Sequence, residues 1–312
     1  MRRACFTTIL VACALAAHQI SAQSSGQPSG RTPTAFRSGV DLISLNVTVT
    51  DPARRFVTNL EQSAFVVLED GRPQAVTFFS QTGLPLDIAV VIDTSASMQG
   101  ALEAAQEAAV GFIQRMRPDD RAAVVDFDGR VRILQPFTGD QKALERAVRS
   151  TVADGSTALY NAVYISLKEL AKLAAAGAEQ PRRQAIVLLS DGEDTSSLMQ
   201  FEDVVDLADR SNTAIYTVGL GTRDATGHLD KHGAEFALRR LASQSGGRAF
   251  FPTEMRQLPS IYSDIRDDLA SQYALAYAST NGRRDGQWRR VTIRMEQRDL
   301  TARTKPGYFG PR

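Results

Sequence analysis

The chain has 312 residues, of which 43% are hydrophobic and 23% are charged, a composition close to the average for soluble globular proteins. This composition excludes a chain that is disordered, collagen-like or coiled-coil throughout, and the length allows one large domain or two of moderate size. A formal net charge of +1 is far from the basic excess that non-specific phosphate binding needs, so nucleic acid is not an expected partner.

Residues 1–22 have the pattern of a secretion signal. Two arginines precede an apolar run that ends at Ala17, and the small residues up to Ala22 suit a signal peptidase. The run is shorter than the roughly 20 apolar residues that span a membrane, so no transmembrane span is expected in the mature chain. We expect a secreted or periplasmic protein cleaved near Ala22. A lipobox-like sequence that ends at Cys13 leaves a lipid anchor as the alternative.

After cleavage, the mature chain is predicted to begin with a linker and to contain no thiol. Cys5 and Cys13 are the only cysteines and both lie inside the predicted signal, so disulfides and cysteine metal sites are excluded from the mature protein. Residues 23–39 are rich in Ser, Gly, Pro and Gln, a composition typical of a disordered linker.

Residues 40–80 show only β patterns. Polar and apolar residues alternate up to Asp51, which predicts a half-buried strand. A second strand, 65–68, runs into an Asp-Gly turn that favours a hairpin, and we expect 75–79 to be its return strand. Three short strands are too few for a stable domain.

Between residues 85 and 272, strand and helix patterns alternate. The first predicted strand is an almost unbroken apolar run, as expected for burial on both faces; the strands cover 86–92, 122–127, 185–189, 214–220 and 249–251. The helices repeat apolar residues at helical spacing and cover 102–116, 159–174, 201–209, 234–243 and 254–271. This alternation predicts a doubly wound α/β domain with a mainly parallel, Rossmann-like sheet.

Residues 273–310 return to β patterns. The candidate strands cover 273–279, 288–296 and 301–308. Neither this segment nor 40–80 has enough strands alone, so we predict that together they form a small all-β, sandwich-like domain. The α/β domain is then inserted between its halves, and the two ends of the insertion must lie close together.

Hydroxyl and carboxylate side chains recur at the ends of the predicted strands. Asp93, Ser95 and Ser97 form an Asp-x-Ser-x-Ser run after the first buried strand, Thr157 precedes a helix, and Asp191 follows a later strand. The carboxyl edge of such a sheet is where α/β folds bind ligands, and these oxygens suit a hard cation such as Mg²⁺. Taken alone, the first run would serve to cap the next helix; all five residues together favour a metal site.

These five residues resemble the metal-ion-dependent adhesion site of the von Willebrand factor type A (VWFA) domain. The resemblance covers the whole predicted α/β domain, and the flanking segments are similar to bacterial VWFA-related proteins of the acidobacterial type. It implies that the hydroxyls of Ser95, Ser97 and Thr157 bind the ion directly. It also implies that Asp93 and Asp191 act largely through water or as hydrogen-bond acceptors.

The function implied by the resemblance is protein binding. A partner's Asp or Glu carboxylate would complete the coordination of Mg²⁺, with Mn²⁺ or Ca²⁺ as alternatives, and we expect no enzyme. The competing hypothesis is a metal-dependent hydrolase at the same site, which needs a base beside the bound water. No histidine accompanies the motif, so Asp126 and Glu193 are the candidate bases.

The resemblance also bears on the last predicted helix, 254–271. In integrin-like members of the family this helix shifts when the metal exchanges a direct aspartate for a partner's carboxylate. In the present chain the helix leads directly into a predicted strand at Tyr273. We therefore expect such a shift to pull on the β domain.

Overall fold

The computed structural model of the chain describes residues 42–81, 84–177, 181–220 and 232–312. All of them belong to the unit that runs from Val40 to Arg312. The predicted signal, 1–22, and the predicted linker, 23–39, lie outside the described residues.

Strands and helices alternate through the middle of the described chain, with strands alone on either side. The strands are β1 (Leu42–Thr50), β2 (Phe65–Glu69), β3 (Arg72–Gln74), β4 (Val76–Ser80), β5 (Leu86–Asp93), β6 (Arg121–Phe127), β7 (Val131–Thr138), β8 (Arg183–Ser190), β9 (Thr213–Gly219), β10 (Ala249–Phe250), β11 (Tyr273–Ala278), β12 (Trp288–Met295), β13 (Thr301–Arg303) and β14 (Gly307–Phe309). The α-helices are α1 (Leu102–Ile113), α2 (Gln141–Arg149), α3 (Leu159–Ala176), α4 (Phe201–Arg210), α5 (His232–Ser245) and α6 (Leu258–Ser271).

Six strands form the central sheet in the order β10-β9-β8-β5-β6-β7. Neighbouring strands run parallel except for β7, which pairs antiparallel with β6 at one edge. Every residue of β5 and of β9 is buried. Helices cover both faces of a parallel sheet, so its central strands are apolar on both sides. This burial explains the unbroken apolar runs in the sequence.

The helices divide between the two faces of the central sheet. Helices α1, α2 and α6 pack on one face, where Phe112, Leu144 and Ile265 belong to a common buried cluster. Helices α3, α4 and α5 pack on the other face, with Val163 and Val204 in a second cluster. The predicted doubly wound α/β fold is confirmed.

The segments before and after the α/β domain build two four-stranded sheets together. In one sheet β1 lies between β11 and β13, and in the other β12 lies between β2 and β14. The two sheets share a buried core that includes Leu45, Val67, Tyr273 and Val291. The sandwich-like domain formed by both segments is therefore confirmed, since strands that are marginal alone complete one another.

The two ends of the inserted domain meet at Arg183, at the start of β8. Its guanidinium donates to the carbonyl oxygen of Leu84, just before β5 (3.1 Å), and to that of Leu269 in α6 (2.6 Å). A single residue, Gln272, separates α6 from β11. Entry to and exit from the α/β domain therefore lie side by side, as the insertion requires.

The hairpin in the first β segment differs from the prediction. Asp70 and Gly71 have φ angles of 48° and 80°, the left-handed geometry of a two-residue hairpin turn. The return strand is the short polar β3, and the chain then crosses to the other sheet, where β4 pairs with β11. The prediction that 75–79 is the return strand is wrong, because β3 carries no apolar alternation by which to recognise it.

Three features near β7 and the end of the chain were not predicted. Strand β7 is an edge strand without a fully buried residue. Helix α2 is highly charged, although Asp140 marks its start by accepting from the backbone N–H groups of Lys142 and Ala143. The predicted last strand, 301–308, is divided into β13 and β14, one in each outer sheet.

Candidate metal centre

Three loops meet at the carboxyl edge of the central sheet. The loop after β5 is joined to the loop before α3 by backbone hydrogen bonds to Asp154 and Gly155. The carbonyl oxygen of Thr157 accepts from the backbone N–H groups of Thr195 and Ser196, which belong to the loop after β8. Because β5 and β8 are neighbours in the sheet, the three segments that carry the predicted motif lie together at this edge.

Asp93, the buried last residue of β5, organises the first loop. Its Oδ1 accepts from the backbone N–H (2.9 Å) and the hydroxyl (2.6 Å) of Ser95, and its Oδ2 accepts from the Ser190 hydroxyl (2.6 Å). Burial raises the pKa of Asp93 to about 6, against the opposing effect of these hydrogen bonds. Both carboxylate oxygens have protein donors, so Asp93 orients Ser95 and would support an ion indirectly.

The hydroxyls of Ser95 and Ser97 have a spacing that suits a cation. Their Oγ atoms are hydrogen-bonded to each other at 3.0 Å. In octahedral Mg²⁺ coordination the metal–oxygen distance is about 2.1 Å, which places adjacent ligand oxygens about 3.0 Å apart. Ser95 is buried whereas Ser97 is exposed, so the pair reaches from the protein interior to the surface. The two hydroxyls therefore match one edge of an octahedron.

Thr157 supplies a third hydroxyl at this edge. The residue is buried just before α3, and its backbone N–H donates to the Thr195 hydroxyl (3.0 Å). Within the described residues no group forms a hydrogen bond with the Thr157 hydroxyl. The backbone of Thr157 is thus fixed, and its side-chain oxygen stays available as a ligand.

Asp191 brings a second carboxylate to the same edge. It is half-buried, and its Oδ1 accepts from the backbone N–H of Glu193 (3.1 Å). Its negative charge is one cause of the raised pKa of Asp93. Gly192 fixes the turn, since its φ is +86° and an added Cβ would lie 3.0 Å from the backbone oxygen of Ala234. Two carboxylates of like charge at one edge favour a cation between them.

The other acidic residues near this edge are held by protein groups. Arg132 donates to both oxygens of Asp126 and to Oδ2 of Asp128. Asp128 Oδ1 accepts from the backbone N–H of Arg130. Asp194 Oδ1 accepts from the backbone N–H of Tyr160 at the start of α3. These carboxylates stabilise the loops around the candidate site.

Two side chains at the site were not singled out from the sequence. Ser190 bonds Asp93 and accepts from the backbone N–H of Gly192 (2.9 Å), so it connects the first and third loops. Arg132 neutralises two nearby carboxylates. Ser190 could be predicted from its position at the end of a buried strand, directly before Asp191. No comparable local pattern points to Arg132.

The donor set determines which metals the site suits. Across the part of the chain that the structure describes, no three residues of the types His, Cys, Asp and Glu gather into a metal-binding group. The candidate ligands are hydroxyl oxygens supported by carboxylates, which fit a hard cation such as Mg²⁺ and not a soft one. The residues present therefore fit the ion that the motif implies.

Comparison with known families identifies the α/β domain. The model of the von Willebrand factor type A domain matches residues 87–264, more than half of the chain. The chain belongs to the von Willebrand factor type A domain family. A solved von Willebrand factor type A protein from Catenulispora acidiphila is 14% identical and covers 88% of this chain and 76% of its own, with a TM-score of 0.52. This likeness supports the family fold.

Curated relatives of this VWFA chain match it over part of their length. A UPF0353 protein from Mycolicibacterium paratuberculosis is 28% identical over 225 residues, which is 66% of each chain. An uncharacterized protein from Synechocystis is 35% identical over 113 residues, 35% of this chain and 26% of its own. The chain thus spans less than two thirds of the length of these relatives.

Among the described residues, none of the helices has both the length and the apolar character that crossing a bilayer requires.

Proposed function

We propose that this VWFA chain is a divalent-metal-dependent binding module of the adhesion or scaffold type. In this proposal the hydroxyls of Ser95, Ser97 and Thr157 hold Mg²⁺, with Mn²⁺ or Ca²⁺ as alternatives, while Asp93 and Asp191 support it. The observation that carries the proposal is the 3.0 Å spacing of the Ser95 and Ser97 hydroxyls, with Ser95 held by a carboxylate that has no free oxygen.

The physical basis is the charge of the ligands. When bound, a divalent cation supplies an electrophilic centre that polarises an incoming oxygen. Neutral hydroxyls neutralise less of its charge than carboxylates would, and Asp93 is turned towards Ser95 and Ser190. A carboxylate from outside therefore completes the charge balance. The partner that fits this chemistry is a protein that presents an Asp or Glu side chain.

The competing function, a metal-dependent hydrolase, is less well supported. Such an enzyme needs a base within hydrogen-bond reach of a bound water. Asp126 has both oxygens bonded to Arg132, and each oxygen of Asp128 already accepts from an arginine side chain or backbone N–H. Glu193 also has a partner. A binding function without catalysis is the simpler conclusion.

We also propose that the module works outside the cytoplasm. This rests on the signal-like pattern of residues 1–22, with cleavage near Ala22 or, alternatively, a lipid anchor at Cys13. Edman sequencing or mass spectrometry of the protein purified from its native host distinguishes the two, because only lipid processing leaves an acylated cysteine at the new amino terminus.

Saturating Mg²⁺ or Mn²⁺ is expected to raise the melting temperature of the protein. An ion that binds only the folded state stabilises it by about 2.7 kcal/mol when its free concentration is a hundred times Kd. Ser97→Ala and Asp191→Ala are each expected to lose most of this shift, since Ser97 is exposed and Asp191 half-buried and neither change disrupts the core. Differential scanning fluorimetry with and without metal measures the effect.

The matched control is Ser156→Ala. Ser156 is an exposed hydroxyl next to Thr157 that bonds the Ser196 hydroxyl (3.1 Å), and its loss should leave the metal response unchanged. The metal-site assignment is wrong if Ser97→Ala and Asp191→Ala respond to metal as the wild type does. Partner capture is then tested by pull-down from a native envelope fraction, once with Mg²⁺ and once with a chelator. A protein counts as a partner only if it is lost both in the presence of chelator and with the Ser97→Ala variant.

A further inference from the structure

A groove of about 580 Å³ lies between the α/β domain and the β domain. Its walls come from α4, α5 and the outer strands β12 and β14. Asp191 of the metal motif lies in the loop that leads from β8 to the start of α4, whereas Asp209 lies near the end of that helix. The volume is within the range of about 300–1,000 Å³ that is usual for small-molecule sites.

Two acceptor oxygens at this groove lack donors. Asp209 is only 7% exposed, and its buried Oδ1 has no hydrogen-bond partner. The buried Oε1 of Gln244, which lines the same groove, also has none. A buried acceptor without a donor costs about 1–3 kcal/mol, and more when it is charged. Such a cost is expected where a ligand supplies the missing donor.

Three exposed charged side chains line the groove beside these acceptors: Asp206 on α4, Arg240 on α5 and Arg290 on β12. None of them forms an ion pair with another described residue. Together with Asp209, the lining residues thus carry two carboxylates and two guanidiniums, which lie on α4, α5 and β12. These lining charges form no ion pairs with one another, although Arg240, Lys305 and Arg210 lie near enough to Asp209 to act on its pKa.

Apolar surface completes the groove. Trp288 and Phe309 lie edge to face with ring centroids 5.1 Å apart, and the groove is also lined by Val205, Val291 and Pro306. Aromatic rings of this kind offer contact area at a low cost in side-chain entropy. The groove therefore combines unpaired acceptors, unpaired cations and an apolar wall.

We propose that this groove binds a zwitterion that carries an ammonium group, a carboxylate and a large apolar side chain, namely a free α-amino acid or a short peptide. A small rotation of the Asp209 and Gln244 side chains brings their buried oxygens to the groove that both residues line, where the ammonium group donates to them. The carboxylate accepts from Arg240 and Arg290. A simple anion would leave Asp209 without a donor and would meet the charge of Asp206. A simple cation would meet both arginines.

The unpaired state of Asp209 has a consequence for stability. Burial raises the pKa of its carboxyl to about 6; Asp206 adds to this effect, whereas Arg240, Lys305 and Arg210 oppose it. A carboxyl with a raised pKa binds its proton more tightly in the folded state, here by about a hundredfold. The free energy of unfolding therefore rises as the pH falls from about 6 towards the ordinary pKa of an aspartate. Above about pH 6 this gain in stability is absent.

Asp209→Asn is accordingly expected to raise the melting temperature at about pH 8, where the native carboxylate is charged, and to raise it less at about pH 4. Thermal unfolding of both proteins at the two pH values measures this. Asp206→Asn is the control, because Asp206 is exposed on the same helix. An equal effect of Asp209→Asn at both pH values contradicts a raised pKa of the buried Asp209 carboxyl.

Isothermal titration calorimetry of the full chain with the dipeptide Phe-Leu tests the binding proposal. The wild type should bind it, and N-acetylation or C-amidation of the dipeptide should each weaken binding by about tenfold or more, because a hydrogen bond to a charged group is lost. Asp209→Asn and Arg290→Gln should weaken binding similarly. Free phenylalanine in the same assay shows whether an amino acid suffices or a peptide is needed.

Two variants serve as controls. Arg294→Gln changes an exposed arginine further along β12 that does not line the groove, and Ser97→Ala changes the candidate metal centre; both should bind as the wild type does. The proposal is overturned if neither zwitterion binds at up to about 10 mM, if capped and free dipeptides bind equally, or if an acidic oligosaccharide such as digalacturonate binds in their place.

Discussion

Asp268→Ala is expected to lower the free energy of unfolding by about 3–5 kcal/mol, because removal of one partner leaves a largely buried ion pair uncompensated. Asp268 lies on α6 and is completely buried. Its Oδ1 accepts from the Thr48 hydroxyl of β1 (2.7 Å), and its Oδ2 accepts from the guanidinium of Arg303 in β13. Equilibrium urea unfolding of the variant and the wild type measures the difference.

Arg303 explains why the effect should be large. Besides Asp268, its guanidinium donates to the carbonyl oxygens of Gly246 and Gly247 in the turn between α5 and β10, and to the Thr48 hydroxyl (3.1 Å). The Asp268 carboxylate therefore holds the Arg303 guanidinium, which joins the α/β domain to the β domain. Without this carboxylate, the Arg303 guanidinium stays partly buried but loses its counter-charge.

The control is Asp264→Ala, which removes an exposed carboxylate one turn earlier on α6. Surface changes of this kind usually alter stability by less than about 0.5 kcal/mol. Equal midpoints for Asp264→Ala and Asp268→Ala would show that the junction contributes little to folding.

The same contacts bear on the expected movement of the last helix, which stays a prediction. Helix α6 is attached to β1 and β13 through Asp268, and to the start of β8 through Arg183. A displacement of α6 along its axis must either break these bonds or move the β domain with it. Coupling between the metal edge and the β domain thus needs two states of this junction that differ in energy by a few kcal/mol.

The sequence predicts the α/β core well for a physical reason. Central parallel strands are covered on both faces, so 86–92 and 185–189 are unbroken apolar runs, and the helices beside them repeat apolar residues on one side. The carboxyl edge then places the loops at Asp93, Thr157 and Asp191 together. Local patterns are sufficient because the burial of each element is visible in its own sequence, as an unbroken apolar run in a central strand and as a one-sided apolar repeat in a helix.

Elements with little burial could not be predicted in the same way. Edge strand β7 has exposed or half-buried residues throughout, and the polar β3 is three residues long. Neither carries a clear alternation, because a strand that pairs on one side only has few side chains to bury. The return strand of the hairpin was misassigned for this reason.

Polar contacts between residues far apart in the chain also cannot be predicted from local sequence patterns. Ser190 bonds Asp93 from 97 positions away, and Thr48 bonds Asp268 from 220 positions away. A serine or aspartate has many local partners, such as turns and helix caps, so its distant partner depends on how the chain folds. The motif placed the loops of the candidate site but not the hydrogen bonds that orient its hydroxyls.

Gly247→Ala is expected to destabilise the protein by about 3 kcal/mol or more, since the added methyl group clashes with the backbone of β9 and forces the turn away from it. Gly247 follows α5 and leads into β10. An added Cβ would lie 2.0 Å from the carbonyl oxygen of Ile215 and 2.6 Å from its carbonyl carbon. Both atoms belong to the backbone of the buried strand β9, which cannot move aside as a flexible side chain can. Urea unfolding monitored by circular dichroism measures the loss.

Gly233→Ala is the matched control on the helix that precedes this turn. A Cβ at Gly233 meets no atom within 4 Å, and alanine favours a helix over glycine by up to about 1 kcal/mol. This variant should be as stable as the wild type or slightly more so. If Gly247→Ala unfolds at the wild-type urea concentration, β9 and the turn can separate without cost. The close approach at Ile215 would then contribute nothing to the position of the turn whose carbonyl oxygens bind Arg303.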